Sequence, residues 1–359
     1  MHSLLFAAML ALNVGPMGPD SPAREPQLVA NGSTVALVFG AGDTIYFAAS
    51  HDSGHTFSPP VKVAQAKNIP LSRHRGPRVA ISGNTIVISA VAGLTASPDA
   101  HAHGVSPDGD LFVWRSADGG KTWSNAIQVN DVPRAPNEAL HTMAADAKGN
   151  LFAAWLDHRT GKTTLYGTRS ADAGATWSKN FLVYQSPDGT ICECCSPSSA
   201  FRPDGELLVM WRNWLDGSRD MYLARSTGGA AFSKAEKLGM GTWKLNGCPM
   251  DGGGVVASRQ GIFTAWRREG TVYMAEPGGQ ETVLGQGKDL AVAAGPKGMY
   301  VAWVGVSGIE LRPPDGPPVK LSDQGAFPAI AVLPDGSVVA AWEEKDAITI
   351  RQLNRSLIK

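Results

Sequence analysis

The chain has 359 residues, with 41 Gly and 24 Pro but only 18% charged residues, and Lys+Arg equals Asp+Glu at 32 each. A hydrophobic content of 43% supplies a large core and excludes a disordered chain. Zero net charge and the lack of any basic run exclude an electrostatic binder of nucleic acid or of an anionic membrane surface, and point to a turn-rich all-β protein. The first element is an apolar run from Leu4 to Leu12, followed by Asn13, Gly15 and two prolines. Such a run is too short for a bilayer core, which needs ~20 helical residues, and it fits the apolar region of an export signal. Residues 1–24 therefore read as a signal peptide and short linker, residues 25–359 as one domain, and the expected location as secreted or periplasmic. No later segment is a candidate membrane span.

A unit of short strands then recurs along the chain. Its second strands read Thr34-Val-Ala-Leu-Val-Phe39, Thr85-Ile-Val-Ile-Ser89, Leu151-Phe-Ala-Ala-Trp155 and Leu207-Leu-Val-Met-Trp211. They continue as Ile262-Phe-Thr-Ala-Trp266, Tyr300-Val-Ala-Trp303 and Val338-Val-Ala-Ala-Trp342. Turns such as Pro203-Asp-Gly205 and Pro334-Asp-Gly336 precede them, as tight antiparallel connections require. Each unit opens on small residues, for example Ser198-Ser199-Ala200 and Gly252-Gly253-Gly254-Val255, which suit strands crowded at an axis. The pattern predicts a β-propeller of four-stranded blades, starting near residues 27, 77, 141, 197, 252, 290 and 327; seven blades are expected, with six as the alternative.

Three units close with nearly the same loop: Ser50-His-Asp52-Ser-Gly54-His-Thr56-Phe57, Ser116-Ala-Asp118-Gly-Gly120-Lys-Thr122-Trp123 and Ser170-Ala-Asp172-Ala-Gly174-Ala-Thr176-Trp177. A fourth, Ser226 to Phe232, lacks the Asp. This pattern resembles the Asp box of the bacterial neuraminidase repeat, found in the sialidase superfamily, and the resemblance runs from about residue 27 to the end. It implies a sialidase-like propeller in which the boxes are structural. It also implies glycan or glycoconjugate binding, with glycoside hydrolysis by an arginine clamp, a Tyr nucleophile paired with a Glu, and an Asp acid/base, and with no required cofactor. Four of the six tyrosines (Tyr46, Tyr166, Tyr222, Tyr273) share one third-strand position and read as packing.

Strands alternate in direction within a blade, so the boxes lie on one face and a ligand funnel belongs on the other. Loops of that second face hold Arg73, His74, Arg78, His101, His103, His141, Asp157, His158, Arg159, Arg212, Asp216, Arg219, Lys244, Arg267 and Arg268. Arg78, Arg159, Arg212 and Arg267 are the candidates for contact with an acidic sugar, since planar bidentate donors suit a carboxylate. Asp157, Glu193 and Asp251 are the candidates for proton transfer. Trp214 and Trp243 lack a repeat explanation and could stack on sugar, and His141 is a further candidate for substrate contact. His101 and His103 form a possible ligand pair on one strand face.

All four cysteines also fall on this face: Cys192, Cys194 and Cys195 enter one blade and Cys248 the next. Three readings stay open. They could form disulfides, such as Cys192–Cys248 with a bond between the neighbours Cys194 and Cys195. With Met250 and His141 they could instead form a soft site for copper or zinc. Or they could remain as redox thiols. The glycan reading and the sulfur reading are thus separate hypotheses for a protein expected to be monomeric.

Overall fold

Alternating small and apolar residues, punctuated by Gly, Asn and Asp turns, drive this chain into antiparallel sheets. The computed structural model describes residues 11–93 and 109–358; the expected histidine pair, His101 and His103, and most of the N-terminal apolar run lie outside them. A short strand β1 (Leu12–Val14) comes first. The first four-stranded sheet follows as β2 (Ala23–Asn31), β3 (Thr34–Ala41), β4 (Thr44–Ser50) and β5 (Val61–Gln65). The second is β6 (Arg78–Ser82), β7 (Thr85–Ala92), β8 (Asp110–Ser116) and β9 (Ile127–Gln128). The third is β10 (Pro136–Ala145), β11 (Leu151–Asp157), β12 (Thr164–Ser170) and β13 (Phe181–Tyr184). The fourth is β14 (Ser198–Phe201), β15 (Leu207–Arg212), β16 (Met221–Ser226) and β17 (Glu236–Lys237).

A seven-stranded sheet comes next: β18 (Gly253–Ser258), β19 (Gly261–Arg268), β20 (Thr271–Ala275), β21 (Thr282–Gly295), β22 (Gly298–Gly305), β23 (Gly308–Arg312) and β24 (Val319–Ser322). Its long β21 pairs with β20 through its first half and with β22 through its second, so one strand serves two four-stranded units. The last sheet holds β25 (Ala326–Val332), β26 (Val338–Glu344) and β27 (Ala347–Leu353), and β1 completes it against β27. Within the linker expected through residue 24, then, Leu12–Val14 is the outer strand of the last sheet. Among the described residues the sole helical element is a 3₁₀ turn at Arg355–Leu357, and no helix is long and apolar enough to cross a membrane.

The innermost strands β2, β6, β10, β14, β18, β21 and β25 all contribute to the wall of one axial cavity of about 590 Å³. The core lies between sheets. Trp155, Trp211, Trp266, Trp303 and Trp342 are each no more than 2% exposed. The recurrent tyrosines oppose aromatic residues across the strands, as Tyr46 with Phe39, Tyr166 with Trp155, Tyr222 with Trp211 and Tyr273 with Trp266. Cross-strand aromatic pairs of this kind stabilise a sheet, so these phenols are packing groups.

The three Asp boxes share one hydrogen-bond pattern. In the first, Ser50 Oγ donates to Asp52 Oδ1 (2.7 Å) and accepts from Gly54 N (2.8 Å). Thr56 N and Oγ1 donate to the two Asp52 oxygens at 2.9 and 2.6 Å. Asp118 and Asp172 repeat the threonine contacts. Each box glycine has a positive φ and leans on the preceding sheet: Gly54 on Val339, Gly120 on Phe47 and Gly174 on Val87. A Cβ on Gly120 would lie 2.1 Å from the Phe47 ring. The box is a clip between sheets.

Candidate functional site

The chemistry collects where the innermost strands begin. Four of these strands carry a β-bulge, between Arg24 and Gln27, Pro136 and His141, and Ala326 and Ala329 near their starts, and between Lys288 and Ala291 in the middle of β21. The bulges hold Glu25, Glu138, Asp289 and Phe327 at positive φ, between 48° and 56°. A bulge re-aims side chains that regular pleating would send into the sheet packing. Here it brings Glu25 and Asp289 against His74, which lines the axial cavity.

The segment ahead of β6 crosses this mouth. Its Arg75 is fully buried and forms an ion pair with the carboxylate of Glu138, while its Nε donates to the Glu138 carbonyl at 2.7 Å. On the far side, His74 Nε2 lies 3.1 Å from Asp289 Oδ1, and Arg73 Nη1 lies 3.3 Å from Met250 Sδ. Arg73 and His74 both take positive φ. One strap thus joins the entries of the second, third and fifth units and the middle of β21.

A continuous polar chain runs under it. Arg24 Nε lies 3.6 Å from Glu343 Oε2, and Glu343 Oε1 accepts from the Glu25 amide at 2.6 Å. Glu25 Oε1 accepts from His74 N at 3.0 Å. Beyond His74, the Asp289 amide donates to Asp251 Oδ2 at 3.2 Å, and Arg267 Nη1 stands 3.6 Å from that oxygen. Glu25 and Asp251 are buried, at 1% and 2% exposure.

Burial drives the Glu25 carboxyl up to about 7, against the opposing charges of His74 and Arg78. Burial likewise raises Asp251, assisted by nearby Asp289, and raises Glu343. For Asp289 burial pushes upward too, but the hydrogen bond and charge of His74 prevail and its pKa is lowered. His74 is the converse: burial disfavours the imidazolium, yet Asp289, Glu25 and Asp251 raise its pKa. The mouth therefore combines a carboxyl poised near neutrality with an ionised carboxylate paired to imidazolium. Carboxyls whose environments push their pKa values apart are suited to acid and base roles.

The residues expected from sequence do not gather at one place. Asp251 joins the polar chain, and Arg78 lines the axial cavity, held by the carbonyls of His74 and Pro77. Other expected residues serve the scaffold. Asp157 is buried in a bidentate pair with Arg159 (2.9 Å for each bond) and also accepts from Trp155 Nε1 at 2.7 Å. Arg159 in turn stacks over Tyr166 and reaches Asp131. Arg212 is buried and donates only to carbonyls, those of Asp251, Arg219 and Arg267. Trp243 is buried near the guanidiniums of Arg212 and Arg267, at 5.3 and 5.6 Å, and Trp214 lies under Arg219 at 4.3 Å.

His141 is fully buried against Ser89 Oγ (3.0 Å), and burial lowers it to about 3, so it stays neutral. It does not belong to the cysteine cluster. Glu193 points to solvent. The four arginines do not form one clamp: Arg159 pairs with Asp157, Arg78 and Arg212 donate to backbone carbonyls, and Arg267 lies between the Pro249 carbonyl and Asp251. Glu25, Glu138, Asp289 and Glu343 were missed. For Glu25 and Asp289 the signal is positional: in Arg24-Glu25-Pro26-Gln27 and Lys288-Asp289-Leu290-Ala291 a charged pair precedes the inner run.

The sulfur arrangement also differs from the expected pairing. Cys248 is joined to Cys194 rather than Cys192, with a Cα–Cα distance of 6.2 Å that lies within the usual disulfide range. Cys192 is turned instead toward Cys195 and Arg219, and both Cys192 and Cys195 are free and buried. The sulfurs of Cys192, Cys194 and Cys195 lie within 4.8 Å of one another, but the guanidiniums of Arg219 and Arg212 beside them oppose a dication.

Over half the chain, residues 44–244, matches the BNR repeat-like domain. The chain belongs to that family. Solved structures extend the likeness to nearly the whole length. An α-L-arabinanase from Penicillium chrysogenum, complexed with arabinobiose, is 14% identical, with a TM-score of 0.54 over 96% of this chain and 98% of that one. An intramolecular trans-sialidase from Ruminococcus gnavus, in complex with oseltamivir carboxylate, is also 14% identical, with a TM-score of 0.54 over 94% and 95%. An α-L-arabinofuranosidase from Fusarium graminearum is 15% identical, with a TM-score of 0.55 over 98% and 99%. At this identity the likeness establishes a shared BNR-type β-propeller fold. No curated protein sequence matches the chain.

Proposed function

We propose that this BNR-repeat protein is an exported, glycan-active propeller that binds and hydrolyses its sugar at the strap-covered axial mouth. The observation that carries the reading is that Glu25 and Asp289 both bond His74, Glu25 at its amide and Asp289 at its ring, with Glu25 raised to about 7 and Asp289 lowered. Glu25 would donate a proton to the leaving oxygen, and Asp289 would act as the carboxylate opposite it. The arabinobiose complexes of similar fold support the substrate class, and the N-terminal apolar run supports export. Because Glu25 lies beneath Gly76 of the strap, with a Gly76 Cβ position only 2.6 Å from its own Cβ, substrate would enter by displacing that segment.

Fluorogenic sialoside and 4-nitrophenyl α-L-arabinofuranoside, assayed from pH 4 to 8, test this directly. Release of either aglycone is expected, with a pH optimum between the two carboxyl pKa values. Glu25→Gln should lower kcat by ~100-fold or more, the usual range for loss of a general acid. Absence of release from both substrates, with no binding on a glycan array, overturns the proposal.

A further inference from the structure

The glycan reading makes no use of the sulfur pocket, which nevertheless has a defined internal order. Cys192 Sγ lies 3.3 Å from Cys195 Sγ and 3.9 Å from Cys194 Sγ. Arg219 Nη1 donates to Cys192 Sγ at 3.0 Å, and Arg212 lies close enough to add its charge. Cys194 is bonded to Cys248. Of the four cysteines, Cys192, Cys194 and Cys195 are buried, whereas Cys248 is half-buried and, like Met250, packs against that cluster.

We propose that this pocket is a thiol–disulfide exchange centre in which Cys192 attacks the Cys194–Cys248 disulfide and releases Cys248 as an accessible thiol. The Cys192 thiolate supplies the electron pair to Cys194 Sγ, so a Cys192–Cys194 bond forms as the Cys194–Cys248 bond breaks. The leaving electron pair rests on Cys248 Sγ, which takes a proton from solvent to replace the one Cys192 has given up. Two thiols and one disulfide are present before and after, and no external oxidant is required.

The surroundings assign the roles. Burial works against a Cys192 thiolate, but the hydrogen bond from Cys195 and the charges of Arg219 and Arg212 outweigh it and bring the thiol down to about 6. Burial, the hydrogen bond and the neighbouring Cys192 charge push Cys195 up, so it remains the protonated donor. An attacking thiol is most effective when its pKa lies near ambient pH. The substrate class on the outside is a thiol or disulfide small enough to meet Cys248, beside Met250 and the strap residue Arg73.

The test traps the released thiol in the intact protein, purified without reductant. Alkylation after denaturation should find two free thiols per chain. In the native state, iodoacetamide should accumulate on Cys248 at a rate that becomes independent of trap concentration. That limiting rate should fall about tenfold per pH unit below a midpoint near 6. Cys192→Ser should abolish Cys248 labelling, whereas Cys195→Ser should keep it. If Cys192→Ser does not fold, the wild-type pH profile decides alone. The proposal is overturned by no free thiol after denaturation, or by a stoichiometric metal on the protein as isolated. It also fails if Cys248 is labelled equally without Cys192, or if no limiting rate has a midpoint below pH 7.5.

Discussion

Two sets of carboxylates in this molecule have the same chemistry and opposite electrostatics. On the box face, Asp52, Asp118 and Asp172 are exposed or nearly so, yet their pKa values fall, to about 2 for Asp172. The foremost cause is the hydrogen bond from the box threonine side chain, followed by the threonine amide. At the axial mouth, Glu25 and Asp251 are buried and their pKa values rise. Donors built into a turn hold a carboxylate charged as part of the scaffold, whereas withdrawal from water leaves a carboxyl able to exchange its proton. The face that repeats most conspicuously is therefore the one with the least chemistry.

The largest expected contrast is catalytic. Glu25→Gln should reduce turnover of any cleaved substrate by ~100-fold or more, while Asp118→Ala should leave kcat of the folded protein unchanged, both measured by initial rates. Equal losses in the two would erase the distinction between the faces. Next comes the strap anchor. Arg75→Ala removes the guanidinium from the buried Glu138 carboxylate and should cost ~3–5 kcal/mol in chemical denaturation, the range for breaking a buried pair. A cost near zero would show that the strap is not held at its Glu138 end.

Smaller in energy is the clip itself. Gly120→Ala must fit a methyl against Phe47 and keep φ at +90°, so a loss of ~1–3 kcal/mol is expected from overpacking and backbone conformation.

The last contrast is in pH dependence, where the two faces should differ in sign. Box aspartates have depressed folded pKa values, so their contribution is present above the unfolded value near 4 and is lost as pH falls toward and below 2. Glu25 has a raised folded pKa, so the folded state binds the extra proton between about 4.5 and 7. Its contribution is full below that window and declines as pH rises through it. Scanning calorimetry should show Asp172→Ala losing its destabilising effect in strong acid. Glu25→Gln should gain stability relative to wild type as pH rises from 5 to 8. A pH-independent difference for both would remove the electrostatic contrast.

Much of the scaffold was legible before any coordinates. The seven second-strand segments, the small-residue inner runs and the boxes all appear where repetition places them, because packing between neighbouring sheets imposes the same demand at each turn. The aromatic phase was equally readable, and it explains why Tyr46, Tyr166, Tyr222 and Tyr273 face aromatic partners rather than a substrate. The site was legible only in part. Asp251 and Arg78 were recognised as residues of the loop face, but Asp157, Arg159 and Arg212 were indistinguishable in sequence from functional groups. Their roles depend on partners such as Trp155 and the carbonyls of Arg219 and Arg267.

Sequence alone determined that turn-rich, charge-balanced repeats would form an all-β propeller, since strand periodicity and turn chemistry are local properties. Only the tertiary structure decided which charges would meet. The His74–Asp289 pair joins positions 215 residues apart, and the Arg75–Glu138 pair joins positions 63 apart across a sheet boundary. Bulges turn these side chains inward, and burial then sets their protonation. The sulfur pocket follows the same rule: the cysteine spacing is local, but Arg219 and the approach of Cys248 give each sulfur a different role. Local pattern fixes where the chain extends and turns, whereas pKa depends on which distant groups share the same small volume of excluded water.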